Sequence, residues 1–237
     1  MNSSALLVAK DIEVRFGGVA AVSGVSFEVD ANTLYCVIGP NGAGKSTFLN
    51  VLTGTLRPTK GRVYLAQRDI TGFAAHRIAR AGIARKFQAP SLFSSLTVWD
   101  NLRVAGCAVK PSPGRKTFEE VLGQIGLERR AHTMVGELAH GEKQWLEIGM
   151  AIALVPKVLL LDEPTAGMTP EETMKTAELL HALRADCAVV AVEHDLRFVR
   201  AMNCHTLVLH QGKILRSGDF SDIERDETVR DVYLGRA

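Results

Sequence analysis

Residues 33–47 read TLYCVIGPNGAGKST. The five consecutive apolar residues from Leu34 to Ile38 leave no polar face, which suits a strand covered on both sides, as in a parallel sheet flanked by helices. Small residues follow at 39, 42, 43 and 44, and then Lys45, Ser46 and Thr47 lead into TFLNVLTG, a pattern of helical period. The spacing is GxxxxGK[ST] over residues 39–46, in the strand-to-helix context that a phosphate-binding loop requires. Small residues let backbone N–H groups turn inward around phosphate oxygens, and the new helix directs its positive end at the same place. Lys45 supplies a mobile cation for β- and γ-phosphates, and Ser46 a hydroxyl for Mg²⁺. A glycine-rich turn that merely starts a helix is the plainer alternative, and the flanking strand and helix speak against it.

Two more apolar runs lie further along the chain: VLLLDEP (158–164) reaches Asp162 and Glu163, and CAVVAVEHD (187–195) reaches Glu193 and His194. A helical pattern follows each, which predicts βα architecture. A carboxylate pair at a strand end is usually a solvated corner, but beside a phosphate loop it acquires roles. Asp162 is placed to hold the metal through water, and Glu163 to orient or deprotonate the attacking water. His194, which alone would read as a surface or capping residue, closes another strand and so comes to the same rim, where open α/β sheets bind ligands.

Between about residues 72 and 150 the pattern changes to helical pieces without an obvious long strand, broken by KPSPG at 110–114, which predicts a mostly helical insertion. Its last piece is LAHGEKQWLEIGM (138–150), with apolar stripes at 145, 148, 152 and at 146, 150, 154. Gly141 stands at the mouth of that helix, where it permits close backbone approach. Thr169, Pro170 and Glu172 predict a capping box that opens the helix EETMKTAELLHALRA.

Composition sets bounds. The 237 residues are 46% hydrophobic and 23% charged, as in an ordinary globular domain, and 28 basic against 26 acidic side chains leave +2, too balanced to attract nucleic acid electrostatically. No window approaches 18 uninterrupted apolar residues, and the first residues carry no cleavage-site pattern, so a non-exported, cytoplasmic chain is expected. Cys36, Cys107, Cys187 and Cys204 form no CxxC pair and read as reduced thiols. Arg77, Arg80, Arg85 and Lys86 read as a solvated helix face, with anionic lipid or a partner's acidic helix as the alternative.

The ordered motifs GPNGAGKST, ARKFQAPSLF, the LAHGE-led helix, VLLLDEP and VEHD resemble the ATP-binding cassette family over essentially the whole chain. The resemblance implies an α/β P-loop NTPase fold with a RecA-like core, an antiparallel β subdomain and a helical subdomain. It divides one domain, 1–237, into core with β subdomain (1–90 and 151–237) and a helical part (about 91–150). It also implies ATP and Mg²⁺ as cofactors, held by Gly39, Pro40, Asn41, Gly42, Ala43, Gly44, Lys45, Ser46 and Thr47. Phe16 would stack on adenine, with ordinary packing as its alternative. Gln88 would serve as metal contact and as lever to the membrane partner, Glu163 as catalytic base and His194 as γ-phosphate sensor. Ala139, His140, Gly141 and Glu142 would cap the γ-phosphate held by a second cassette, itself or a paralogue.

The sequence departs from the family's usual residues at several of these places. Ala139 replaces a serine, His140 a glycine, Glu142 a glutamine, Thr169 an aspartate and Phe16 a tyrosine. Finer likeness in HGEKQWLEIGM, AGMTPEET, VEHDLRFVR and VYLG points to urea importers, with branched-chain amino acid importers as the alternative. That implies membrane permease subunits as partners, a solute-binding protein acting indirectly, no nucleic acid, and a peripheral place on the inner face of the cell membrane. A small-molecule kinase or GTPase would share the phosphate loop, but no NKxD stretch is present to read guanine.

Overall fold

The computed structural model describes residues 5–86, 92–107 and 116–233. It opens with β1 (Leu7–Phe16), β2 (Val19–Val29), β3 (Leu34–Ile38), α1 (Lys45–Leu52), β4 (Lys60–Leu65), β5 (Arg68–Asp69), α2 (Ala75–Ala81) and β6 (Ile83–Lys86). The helices α3 (Val98–Gly106), α4 (Phe118–Ile125) and α5 (His140–Ile152) follow. The chain then alternates through β7 (Val158–Asp162), α6 (Pro170–Leu183), β8 (Ala188–Val192), α7 (Leu196–Met202), β9 (His205–His210) and β10 (Lys213–Asp219), before α8 (Phe220–Ile223) and α9 (Glu227–Tyr233).

Two sheets organise these elements. An antiparallel sheet has the order β2-β1-β4-β5, and a six-stranded sheet the order β10-β9-β3-β8-β7-β6, parallel from β9 to β6 with β10 antiparallel at one edge. The apolar runs belong to its three central strands, and their lack of a polar face follows from two cores. Cys36 and Ile38 of β3 pack into a core with α5, α6 and α7, whereas Val37 faces Phe48 and Leu49 of α1 and residues of the small sheet. Each face of the pleat is therefore dry.

Thr169 caps α6 as the sequence predicts: its hydroxyl accepts from Glu172 N–H at 3.2 Å while the Glu172 carboxylate accepts from Thr169 N–H at 2.9 Å. The stretch between 72 and 150 holds no long strand among the described residues, only β6, too short at four residues to show periodicity and joined to β7 in parallel register. One expectation needs correction. Of the four basic residues expected on a solvated helix face, Arg77 and Arg80 are exposed on α2, with the Arg77 guanidinium 4.3 Å from the Phe73 ring centre. Arg85 and Lys86 lie instead on β6, paired with carboxylates inside the protein.

Candidate nucleotide site

β3, β7 and β8 end side by side, and the residues just beyond them form the site. Gly39 has φ +150° and Gly44 φ +99°, and a Cβ at either would collide with a carbonyl, that of Leu209 or Ala21 respectively. Glycine is therefore required by close backbone packing before any ligand is considered. The loop is braced from outside, where Ala43 O accepts from Gly212 N–H at 3.0 Å and Gly212 O from Ser23 N–H at 2.7 Å. Inside it, Lys45 Nζ donates to Gly39 O at 2.6 Å and Pro40 O at 3.0 Å. Burial lowers the Lys45 pKa from its usual value, and the charges of Glu163, Asp162 and Glu193 pull it back. An ammonium folded against carbonyls in a dry nest fits a site built to receive a polyanion. Asn41, Gly42 and Ser46 are exposed on the same loop, and Thr47 and Pro40 are half-buried.

Asp162 closes β7 and is 3% exposed. One of its oxygens accepts from Arg85 Nη2 at 2.7 Å. Asp162 and Ser46, the latter at the start of α1, each carry an oxygen of the kind that could hold Mg²⁺, which typically takes one or two protein oxygens plus substrate phosphates. Glu163 adopts φ +48°, uncommon for a residue with a side chain, and its N–H donates to Val192 O at 2.9 Å. His194 Nδ1 lies 3.5 Å from Glu163 Oε1 and 3.9 Å from Glu193 Oε2. The structure thus brings Lys45, Asp162, Glu163 and His194 to one rim from motifs far apart in sequence.

Glu193 is a participant that sequence reasoning took only as a strand end. It is 1% exposed and accepts from Thr165 N–H at 3.0 Å, Thr165 Oγ1 at 2.6 Å and His194 N–H at 3.0 Å. It ties the turn after Glu163 to the turn carrying His194. Arg85 was likewise missed, and nothing in a basic run distinguishes the member that goes inside.

The α5 entrance combines internal contacts with an open end. Ala139 and His140 are exposed, and Gly141 is buried. A Cβ on Gly141 would meet the Glu172 carboxylate of α6, so this glycine serves packing within the chain as well. Ala139 has no side-chain oxygen for α5, but Glu142 Oε2 accepts from Ala139 N–H at 2.9 Å and Glu142 Oε1 from Arg130 Nε at 3.2 Å. His140 Nε2 sits 2.9 Å from Ala166 O, joining this entrance to the turn after Glu163. The Phe16 side chain is 54% exposed at the end of β1, so it is not the packed residue of the alternative reading. Gln88 lies outside the described residues.

The profile of the family described as ABC transporter matches residues 22–166. Over 254 aligned residues the chain is 36% identical to the high-affinity branched-chain amino acid transport ATP-binding protein LivG of Salmonella typhimurium, covering 99% of this chain and all of that one. It is 33% identical to the lipopolysaccharide export system ATP-binding protein LptB of Acidithiobacillus ferridurans, covering 98% of each. The crystal structure of the ADP conformation of MJ1267, an ATP-binding cassette of an ABC transporter, superposes with TM-score 0.88 at 29% identity, covering 98% of this chain and 99% of that one.

Proposed function

From the premise that the chain belongs to the ABC transporter family, as one of its ATP-hydrolysing cassettes, we propose that it drives an importer of branched-chain amino acids. The observation that carries the nucleotide part is the convergence of Lys45, Asp162, Glu163 and His194 on one rim. In this reading residues 39–47 bind the phosphates of ATP through inward N–H groups and the Lys45 ammonium. Ser46 and Asp162, with Gln88, would hold Mg²⁺, which supplies charge neutralisation across the phosphate oxygens. Glu163 takes the proton of the attacking water, and His194, 3.5 Å away, orients that carboxylate and meets the γ-phosphate. Phe16 offers a free ring face for adenine.

The same reading gives α5 of one subunit the task of capping the γ-phosphate held by a second. Its exposed end, Ala139 and His140, leads into the Gly141 and Glu142 N–H groups, and a helix N-terminus favours an anion. ATP binding then closes two cassettes and product release reopens them, with Gln88 passing the motion to permease subunits. No described helix is long and apolar enough to cross a membrane, and we place the chain against permeases at the cytoplasmic membrane face, with a solute-binding protein delivering cargo from the far side.

The cargo rests on relatives alone, because this chain does not touch it. Likeness to branched-chain amino acid ATP-binding proteins supports that cargo over the urea expected from short sequence stretches. The test is reconstitution with co-purified permeases in liposomes, followed by ATPase assays with binding protein loaded with leucine or with urea. Stimulation by leucine alone is the expected result, and stimulation by urea alone would reverse the assignment.

A further inference from the structure

β6 ends in two consecutive basic residues, and the two-residue period of a strand sends them to opposite faces of the sheet. Lys86 turns toward α5, its Nζ 3.4 Å from Glu147 Oε2, the two side chains 2% and 5% exposed. Arg85 turns toward α1 and β7. Its Nη2 donates to Asp162 Oδ2 at 2.7 Å, and its Nη1 to Asn50 Oδ1 at 2.6 Å and more distantly to Thr53 Oγ1 at 3.4 Å. The Arg85 and Asp162 side chains are 6% and 4% exposed.

Burying an ion pair removes hydration that attraction rarely overcompensates, so stability is a weak reason to keep one. A planar guanidinium, however, fixes the carboxylate it touches in direction as well as in charge. Here the fork is itself held by α1, the helix that begins with Lys45 and Ser46. We propose that Arg85 is a positioning residue of the hydrolytic site: by tethering one Asp162 oxygen to Asn50 on α1, it keeps the other available to the metal. Without that tether, Lys45 remains a cation within electrostatic reach of Asp162, and a carboxylate drawn to it would leave the metal and occupy the phosphate-binding lysine. The inference rests on the reading of Asp162 as the metal-holding acid.

Mn²⁺ binding in the presence of ATP tests it, in a Glu163→Gln background and followed by the loss of the free-ion electron paramagnetic resonance signal. Outer partners of metal ligands typically carry 10- to 100-fold in affinity, so Arg85→Met should raise the Mn²⁺ half-saturation about tenfold or more while ATP binding in chelator stays within about twofold. Arg85→Lys, which keeps the charge but not the fork, should fall between Met and the native residue. Lys86→Met is the control for loss of a buried charge: it should lower the melting temperature and leave Mn²⁺ half-saturation unmoved. Should Arg85→Met not fold, Asn50→Ala carries the test, with about a threefold rise expected from losing one end of the tether. Unchanged or tighter Mn²⁺ binding, or an equal loss of ATP affinity with and without metal, would overturn the inference. Asp162→Asn separates the two levels. If it weakens Mn²⁺ binding and Arg85→Met does not, only the role of Arg85 falls; if Asp162→Asn has no effect, the metal assignment of Asp162 falls with it.

Discussion

Glu163 holds a backbone conformation, φ +48°, that costs an ordinary side chain about 1–2 kcal/mol. Such a residue is retained where its direction matters, and here the direction brings its carboxylate to His194. Glu163→Gln keeps size and loses the base. General-base catalysis contributes about 10²–10⁴-fold, so phosphate release should fall by about that factor while ATP affinity, measured by nucleotide titration, changes less than about twofold. Robust turnover by the variant would strip Glu163 of its assigned role. Glu163 and His194 are legible in sequence because an apolar run announces a strand and the polar pair that ends it, Asp162–Glu163 or Glu193–His194, marks the rim. The parts played by Glu193 and Arg85 are not legible. Glu193 matters through burial against Thr165, and Arg85 through partners 35 and 77 residues away, distances that no local pattern spans.

At the scale of elements, a helix start is readable when its chemistry is local. The α6 capping box uses only Thr169 and Glu172, and its sequence signal and its geometry coincide. Thr169→Ala removes the hydroxyl half. A lost cap typically costs about 1 kcal/mol, which lowers the melting temperature of a chain this size by about 2–4 °C in a calorimetric scan. For Thr169 the capping role is the one this chain's geometry supports. β6 shows the opposite case. Four residues carry no period, and their strand conformation comes from the ladder with β7. The buried partners of Arg85 and Lys86 follow from that placement and turn a basic run into two internal ion pairs.

At the scale of the whole molecule, the proposed cycle requires the α5 entrance of one copy to meet the phosphate nest of another. Ala139 gives that entrance no hydroxyl, so closure rests on backbone N–H groups and on His140. A hydrogen bond to a charged acceptor contributes about 1.5–3 kcal/mol. Ala139→Ser in the Glu163→Gln background should therefore tighten the ATP-bound dimer by roughly tenfold or more, measured by analytical ultracentrifugation. An unchanged dimer constant would count against contact at this position. By itself the sequence determined the phosphate loop, the βα alternation around it and the capped start of α6, because each depends on residues within a few positions of one another. Only the tertiary structure decided that Gly141 packs against Glu172, that Glu193 links two turns at the rim, and that Arg85 goes inside to hold Asp162. Burial and pairing are properties of neighbours in space, and the chain brings those neighbours together only when the sheet has closed.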